Sequence, residues 1–432
     1  MRKKNVLIIS YSYPPSNAPA AQRPYSIAKY LDKNQFNVTV LTCGNADSSL
    51  GFNLDFDPEL PDVNLIKINS LVGNGASTLR KSKMDGKRSL KNRLKTSLFN
   101  LLSSLVVPDR AIFWYPKVRR FLNEKKEFIA ELDVVFTTSP AFSNHLIGKV
   151  IKRINHKLMW VSELRDFHSV ELVITVKNLK QYINRKLEYS IIQKSDKVTF
   201  ISGAMKELYE FHYPAFKNKF SYVYNGFDIS DFESLPIGDT QNNKLTIFYA
   251  GSFYRGLRSP HPLLKIVDSL IKKNIIGVNE IEIRIAGNFE NELIEEIKVY
   301  DSFSTVNLLG NISRSEVLSN LVTSDLLWLI VGNHATHYTG VPVKFYEYLG
   351  ARRQIINFAP NKSEPTKIIS KNNLGWNFDT LEFNLEHSIV IFEQIINNYR
   401  TGDLAKSLDY KFFPEFDRKH QGHLFGEIFS KN

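Results

Sequence analysis

The chain has 432 residues, of which 43% are hydrophobic, and this is enough for two domains with cores of their own. No apolar run approaches the ~20 residues that a membrane-spanning helix needs. The single cysteine, Cys43, excludes an internal disulfide framework and fits a reducing compartment, while the formal net charge of +12 favours a membrane face, nucleic acid or an anionic substrate as partner.

The first part of the chain reads as alternating strands and helices. Strands are predicted at residues 6–10 and 36–42, and a helix is predicted between them at residues 20–31. This order is typical of a parallel sheet, in which ligands bind beyond the carboxyl ends of the strands. The Pro-rich loop at residues 13–23 is therefore a candidate binding loop. At its end, Arg23 is predicted either to bind a phosphate or to cap the helix.

A strongly basic segment follows the third predicted strand, residues 63–68. The run from Arg80 to Lys95 contains eight lysines or arginines and one acidic residue, Asp85. It leads into an apolar-faced helix that is predicted to end at Val107. A basic segment joined to an amphipathic helix is typical of contact with an anionic membrane surface. Arg80 to Val107 is thus a candidate membrane-contact segment. The alternative is a helix packed in the core and preceded by a solvated basic segment.

Polar groups are predicted at the carboxyl ends of two further strands. The strand at residues 133–138 ends at Ser139, which is placed to cap the helix that follows. The strand at residues 158–164 is followed directly by Arg165 and Asp166. With Glu163 they form a charged triplet, which at this edge of a sheet suits a binding cleft better than a core. The alternative is a local ion pair that shapes the loop.

A polar linker at residues 231–243 precedes a second series of strands and helices. The loop after the first strand of this series contains Gly251, Arg255 and Arg258, and Gly287 follows the next strand. Glycines allow close approach of the backbone to a ligand. Arginines suit bidentate contact with phosphates, so this loop is a candidate phosphate site. The alternative is two surface arginines on an ordinary loop.

The most informative stretch runs from His337 to Gly350 and reads HYTGVPVKFYEYLG. It follows an apolar run that is typical of a buried parallel strand. Pro342 suits the first turn of a helix whose free amide groups attract anions, and Gly350 is predicted to end that helix. Lys344 adds a cation and Glu347 a carboxylate, which are the groups that a diphosphate beside a sugar diol requires. On spacing alone, the alternative is an amphipathic helix with both side chains solvated.

The sequence GVPVKFYEY in this stretch resembles the G-x-P-x-K-x-x-E-Y pattern of glycosyltransferase family 4, whose members have the GT-B architecture. Weaker resemblances are ELRD at residues 163–166 to the family's D-x-R-D element, NGFD at 225–228 to its NGxD turn, and residues 14–24 to a subgroup written PP…QRP. The resemblance implies an α/β fold of two Rossmann-like βαβ domains facing across a cleft. It also implies a C-terminal helix that returns to the N-terminal domain.

The resemblance further implies the division of the chain and its activity. Residues 1–230 would bind the acceptor, 231–243 would link the domains, 244–405 would bind the nucleotide-sugar, and 406–432 would form the returning helix. The implied reaction transfers a sugar from a UDP- or GDP-sugar to an acceptor with retention of configuration. No metal and no other cofactor are implied, since the nucleotide-sugar is itself the substrate.

Particular residues are implied to carry this activity. Glu347 would hold the ribose hydroxyls of the donor, whereas Thr339 stands where many relatives have a second glutamate that touches the transferred sugar. The residues implied on the donor side are Gly251, Gly287, Thr339, Gly340, Val341, Pro342, Val343, Lys344 and Glu347. The residues implied in catalysis are Arg255, Arg258 and Glu347, and those implied on the acceptor side are Arg23, Ser139, Arg165 and Asp166.

The implied acceptor is a lipid-linked saccharide or oligosaccharide of cell-surface polysaccharide assembly. The protein would then be cytoplasmic and peripheral on the inner face of the cell membrane. Two other classes stay open. A sugar-nucleotide epimerase of the same fold would interconvert UDP-sugars without an acceptor. A nucleic-acid-binding protein would explain the positive charge, but the run from Arg80 to Lys95 has no aromatic residue to stack on bases, so no nucleic-acid partner is expected.

Overall fold

The computed structural model of the chain describes residues 2–16, 18–46, 60–72, 106–169, 179–235, 243–253, 258–287, 289–404 and 413–430. The chain divides into two compact units, Met1–Tyr224 with Arg418–Asn432, and Asn225–Asp417. The first unit therefore ends before residue 230, where the sequence predicted its bound, and the chain returns to it at Arg418 rather than at residue 406.

The first unit contains a seven-stranded parallel sheet with the strand order β3-β2-β1-β4-β5-β6-β7. The central strands are continuous apolar runs because helices cover both faces of such a sheet. The strands are β1 (Lys4–Ser10), β2 (Phe36–Cys43), β3 (Val63–Ile68), β4 (Val134–Thr138), β5 (Met159–Leu164), β6 (Lys197–Phe200) and β7 (Phe220–Tyr222). The helices are α1 (Gln22–Tyr30), α2 (Tyr115–Glu124), α3 (Lys126–Ala130), α4 (Ser143–Ile154), α5 (Leu179–Lys194) and α6 (Gly203–His212).

The C-terminal helix, Arg418–Ser430, belongs to the first unit, as predicted. Its Phe425 ring lies edge-on to the Phe136 ring of β4, with 5.4 Å between the ring centroids. A Cβ at Gly422 would lie 2.6 Å from the carbonyl oxygen of Tyr30. The glycine therefore allows the helix to approach the end of α1 closely, and the phenylalanine fixes it on the sheet.

The second unit contains a six-stranded parallel sheet with the strand order β10-β9-β8-β11-β12-β13. Its strands are β8 (Leu245–Ala250), β9 (Ile281–Ala286), β10 (Val306–Gly310), β11 (Leu326–Ile330), β12 (Gln354–Phe358) and β13 (Gly375–Phe378). Its helices are α7 (Ser230–Glu233), α8 (His261–Lys272), α9 (Asn291–Ile297), α10 (Arg314–Thr323), α11 (Ala335–Tyr338), α12 (Val343–Ala351), α13 (Glu364–Asn372) and α14 (Leu385–Thr401). All five residues of β11 are buried, as its apolar run predicts.

Two local predictions are wrong, one for the linker and one for the end of α12, and the residues concerned contact each other. The predicted linker contains a short helix, α7, whose Phe232 is buried, so this part of it belongs to the second unit. Gly350 does not end α12, which continues to Ala351 and is followed by Arg352 in the left-handed conformation. A Cβ at Gly350 would lie 2.3 Å from the Phe232 ring. Gly350 is thus a packing residue, which allows α7 to lie against α12.

Some predicted segments fall outside the described residues. The candidate membrane-contact segment from Arg80 to Val107 lies outside them up to residue 105, and Arg255 lies outside them as well. Within the described ranges, no helix combines the length and the apolar character that are needed to cross a bilayer.

Candidate functional site

The predicted donor-side residues of the second unit gather at one edge of its sheet. Strands β8, β9 and β11 are parallel and adjacent in the order β9-β8-β11, so their carboxyl ends share an edge. Gly251 follows β8, Gly287 follows β9, and the segment leading to α12 follows β11. The amide N–H of Gly251 donates a hydrogen bond to the carbonyl oxygen of Ala286, at 2.9 Å. The two glycine loops therefore leave the sheet side by side.

These two loops leave no room for a side chain at either glycine. Gly287 has a φ of +139°, and a Cβ there would lie 2.2 Å from the carbonyl oxygen of Gly251. Gly251 has a φ of +150°, and a Cβ there would lie 2.5 Å from Nζ of Lys344. Both backbone conformations disfavour L side chains. The glycines thus bring the backbone of two loops and the ammonium group of Lys344 into contact.

Lys344 carries a buried ammonium group. Its Nζ lies 4.0 Å from the centroid of the Tyr249 ring, and within the described part of the chain it has no hydrogen-bond partner. Burial and, to a smaller extent, the positive charge of Arg258 lower the pKa of Lys344 to about 7, while Glu347 acts in the opposite direction. A buried cation is costly unless it is paired. The alternative of a solvated Lys344 is therefore excluded, and the ammonium is placed to receive an anion.

Arg258 and His337 add basic groups to the same site. Arg258 acts electrostatically on both Lys344 and His337. Burial lowers the pKa of His337, and Arg258 and His334 lower it further, which favours the neutral imidazole. The structure thus places Arg258 near Lys344 and His337. Of the described groups, Lys344 and Arg258 supply the charge with which an anion would interact.

The loop before α12 presents backbone at the start of that helix. Pro342 is the N-cap residue and makes no side-chain cap, so the first amide groups of α12 are not satisfied by a cap. Val341 is buried, whereas Val343 is 42% exposed in the first turn. A Cβ at Gly340 would meet no atom within 4 Å, and Thr339 is half-buried. An anion at this end of the helix would be stabilised by the amides and the helix dipole.

Glu347 lies one turn after Lys344 on α12 and is held by an arginine that the sequence did not indicate. Its Oε1 accepts a hydrogen bond of 2.9 Å from Nη1 of Arg314, the first residue of α10. Nη2 of Arg314 donates to Oδ2 of Asp231, on α7, at 2.7 Å. All three side chains are partly exposed. Glu347 is thus a fixed carboxylate that is accessible to a ligand.

In the first unit, the guanidinium of Arg23 is buried among protein acceptors. Its Nη2 and Nε lie 2.9 and 3.0 Å from Oε1 of Glu163, and Nη2 also donates to the carbonyl oxygen of Val223. Nη1 donates to Oε1 of Gln421, on the C-terminal helix, and the guanidinium lies 5.0 Å from the Phe425 ring centroid. The side chain is 4% exposed. Arg23 therefore ties β5 to the C-terminal helix, and it does not cap α1.

Ser139 and Arg165 form one network at the carboxyl end of β4. The Ser139 hydroxyl accepts a hydrogen bond of 2.8 Å from the Arg165 amide, and the Arg165 side chain donates to the carbonyl oxygens of Ser139 and Ala20. The prediction that Ser139 caps the next helix is wrong, because α4 begins only at Ser143, whose amide donates to Asp109. Asp166 is exposed. Arg165 fixes this loop, and Asp166 is available to a ligand.

Comparison with known proteins identifies the fold. No protein-family model matches the sequence, and no curated protein matches it. A sucrose-phosphate synthase from Thermosynechococcus elongatus superimposes with a TM-score of 0.59 at 11% identity, over 99% of this chain and 98% of that chain. A glycosyltransferase from Rickettsia africae does so with a TM-score of 0.56 at 16% identity, over 99% and 98% of the two chains.

A third similar structure is an α,α-trehalose-phosphate synthase (UDP-forming) from Burkholderia xenovorans in complex with glucose-6-phosphate. Its TM-score is 0.56 at 9% identity, over 99% of this chain and 100% of that chain. At these identities the likeness establishes the fold and not the activity. Together with the two parallel sheets, it confirms the predicted α/β class and the two-domain GT-B fold.

Proposed function

We propose that the protein is a glycosyltransferase that moves a sugar from a UDP- or GDP-sugar to an acceptor with retention of configuration. The observation that carries this proposal is the buried ammonium of Lys344, which has no hydrogen-bond partner among the described residues. Because an unpaired buried charge is costly, the arrangement favours a site that an anion completes. The names of the three similar structures, a glycosyltransferase and two sugar-phosphate synthases, support this choice of reaction.

The arrangement of groups along α12 fits a nucleoside diphosphate joined to a sugar. The amino end of α12, Lys344 and Arg258 would bind the diphosphate. Glu347 lies three residues further along the same helix, and side chains at this spacing face the same direction. Its carboxylate would accept hydrogen bonds from the ribose hydroxyls. A free phosphate would use only the first of these two subsites.

The same groups would assist the departure of the leaving group. When the bond between sugar and diphosphate breaks, negative charge increases on the diphosphate oxygen. The ammonium of Lys344, the guanidinium of Arg258 and the helix amides are fixed dipoles and charges aimed at that oxygen, and such groups stabilise the transition state most when they need no rearrangement. We propose that these groups act without a bound metal, so transfer is expected to continue in the presence of EDTA.

Substitution of Glu347 tests the proposed donor site. Glu347→Gln keeps the shape of the side chain but removes the charge, and hydrogen bonds to a charged group contribute ~1.5–3 kcal/mol. We expect the affinity for the preferred nucleotide-sugar to fall by about 10- to 100-fold, as measured by calorimetry after a thermal-shift panel of UDP- and GDP-sugars. Glu282→Gln, in a partly exposed ion pair with Arg284 on β9, is the matched control.

Two results would contradict this donor site. One is wild-type protein that no UDP- or GDP-sugar stabilises; the other is equal donor affinity in the wild type and Glu347→Gln. Interconversion of UDP-sugars without an acceptor would instead identify a sugar-nucleotide epimerase. Transfer of label from the donor to an added acceptor would support the glycosyltransferase.

For the acceptor, we propose a lipid-linked saccharide or oligosaccharide of cell-surface polysaccharide assembly, used by a cytoplasmic protein that is peripheral on the membrane. The basic run from Arg80 to Lys95 supports contact with anionic lipid. Glucose-6-phosphate in the Burkholderia structure makes a sugar phosphate the second candidate. Labelled donor is incubated with membrane extract or with sugar phosphates, and binding to anionic vesicles is measured. Transfer to sugar phosphates without vesicle binding would exclude the first candidate.

A further inference from the structure

We propose that Arg314 is a positioning residue that fixes the Glu347 carboxylate for the ribose of the donor. The inference rests on the proposed function, since it assigns a role within the proposed donor site. Neither the sequence pattern around Glu347 nor the predicted site residues include Arg314. Its contacts in the structure assign it this role.

The guanidinium of Arg314 bridges two carboxylates. Nη1 lies 2.9 Å from Oε1 of Glu347, and Nη2 lies 2.7 Å from Oδ2 of Asp231. A planar guanidinium held at two nitrogens has a fixed orientation, which a lysine ammonium would lack. Each carboxylate oxygen can accept two hydrogen bonds. Arg314 therefore restrains Glu347 through one oxygen and leaves accepting capacity on both for a pair of hydroxyl groups.

Arg314 is itself held in place by its own helix. It is the first residue of α10, whose start is closed by a reciprocal capping box between Ser313 and Glu316. The Ser313 amide lies 2.7 Å from Oε2 of Glu316, and the Glu316 amide lies 3.2 Å from the Ser313 hydroxyl. Such a box fixes the first turn of a helix. The backbone from which Arg314 extends is therefore fixed before any ligand binds.

The two helices that carry Asp231 and Glu347 also contact each other without Arg314. Asp231 precedes Phe232, which is buried against Gly350 of α12, the helix that carries Glu347. This contact packs α7 against α12 and does not involve Arg314. Removal of Arg314 is therefore expected to free the Glu347 side chain and to leave the two helices in place, which is what separates a positioning role from a structural one.

Charge explains why the loss of Arg314 would affect the donor. Burial lowers the pKa of Arg314, but the charges and hydrogen bonds of Glu347 and Asp231 outweigh it and raise the pKa, so the guanidinium remains charged. Glu347 also interacts electrostatically with Lys344. Without Arg314, we expect Glu347 to be drawn towards the Lys344 ammonium one turn away on the same helix. An ion pair between them would occupy both of the groups that the donor needs.

The test measures binding of UDP, GDP and their 2′-deoxy forms to the wild type, Arg314→Gln, Glu347→Gln and the double variant. For the nucleotide that the wild type binds, we expect Arg314→Gln to weaken binding about tenfold and to reduce the preference for the ribose form. Because Arg314 would act through Glu347, the double variant is expected to bind no more weakly than Glu347→Gln alone. Arg314→Lys keeps the charge but lacks the planar guanidinium, so its nucleotide affinity is expected to lie between those of the wild type and Arg314→Gln. It takes the place of Arg314→Gln in the test if that variant does not fold.

The matched control is Arg284→Gln, because Arg284 and Glu282 form an ion pair of 2.8 Å in the same unit with similar exposure. Unchanged nucleotide affinity and ribose preference in Arg314→Gln, or strictly additive losses in the double variant, would overturn the inference alone. A wild-type protein that binds neither UDP nor GDP would overturn the proposed function and this inference together.

Discussion

Replacing Lys344 with methionine is expected to abolish donor binding and, at the same time, to stabilise the protein without ligand. Methionine keeps the length and apolar character of the side chain but removes the buried ammonium. Burial destabilises the charged ammonium in the folded protein, and the pKa of Lys344 is therefore lowered from 10.5 to about 7. A shift of one pKa unit corresponds to ~1.4 kcal/mol, so after the lost contact with the Tyr249 ring we expect a gain of about 1–3 kcal/mol at pH 7.

The gain in stability that we expect for Lys344→Met depends on pH. Between pH 7 and 10.5 the unfolded chain binds a proton at Lys344 that the folded protein has released, so the destabilising contribution of Lys344 becomes smaller as pH rises. The cost of the ammonium is complete below pH 7 and decreases above it. Chemical denaturation from pH 6 to 9 should therefore show the largest advantage of Lys344→Met at the acidic end of this range.

Donor binding should show the opposite dependence on pH. A diphosphate beside Lys344 favours the charged ammonium and raises its pKa, so binding near pH 8 takes up a proton and the affinity falls as pH rises. Calorimetry in two buffers of different ionisation enthalpy measures this uptake, which Lys344→Met should lack. Lys272→Met is the control, because Lys272 is an exposed partner of Asp268 and exposed ion pairs contribute little to stability. A destabilised Lys344→Met that still binds donor would contradict the assignment.

The α/β class could be predicted from the sequence because the central strands of both sheets are apolar runs separated by helices, whereas the GT-B arrangement was implied by the family resemblance. β8 coincides with LTIFYA and β11 lies within LLWLIV, two largely apolar runs that stand between polar or glycine residues in the sequence. Gly251, Gly287 and Lys344 were implied on the donor side by the resemblance, and the strand order places the segments that carry them at one edge of the sheet. Their spacing along the chain is a local signal, and the parallel order of the strands brings local signals together.

The partners of the candidate residues could not be predicted in the same way. Arg314 contacts Glu347 from 33 residues away and Asp231 from 83 residues away, and the local sequence around it indicates only a helix cap. Arg23 meets Glu163 across 140 residues, so its buried ion pair had no signature in the binding loop. Side-chain pairing at long range depends on the tertiary structure, whereas strand and glycine patterns do not.

Gly287→Ala is expected to destabilise the second unit and to remove donor binding. The added Cβ would lie 2.2 Å from the carbonyl oxygen of Gly251, and this oxygen belongs to a backbone that is hydrogen-bonded to β9 through the Gly251 amide. Relief of the clash would separate the two loops and displace Gly251 from the ammonium of Lys344. Overpacking of ~1–3 kcal/mol and backbone strain of ~1–2 kcal/mol give an expected loss of about 2–5 kcal/mol, measurable by denaturant unfolding.

Gly402→Ala is the control for Gly287→Ala, because it introduces backbone strain without a steric clash. Gly402 has a φ of +78°, and a Cβ there would meet no atom within 4 Å, so only the strain of ~1–2 kcal/mol applies. This variant should retain the donor affinity of the wild type, because Gly402 follows α14 and is not among the residues of the candidate site. Equal losses of stability in the two variants, with donor binding intact in both, would show that contact between the two glycine loops does not hold the ammonium in place. A larger loss in Gly287→Ala, together with lost donor affinity, would establish that this contact positions Lys344.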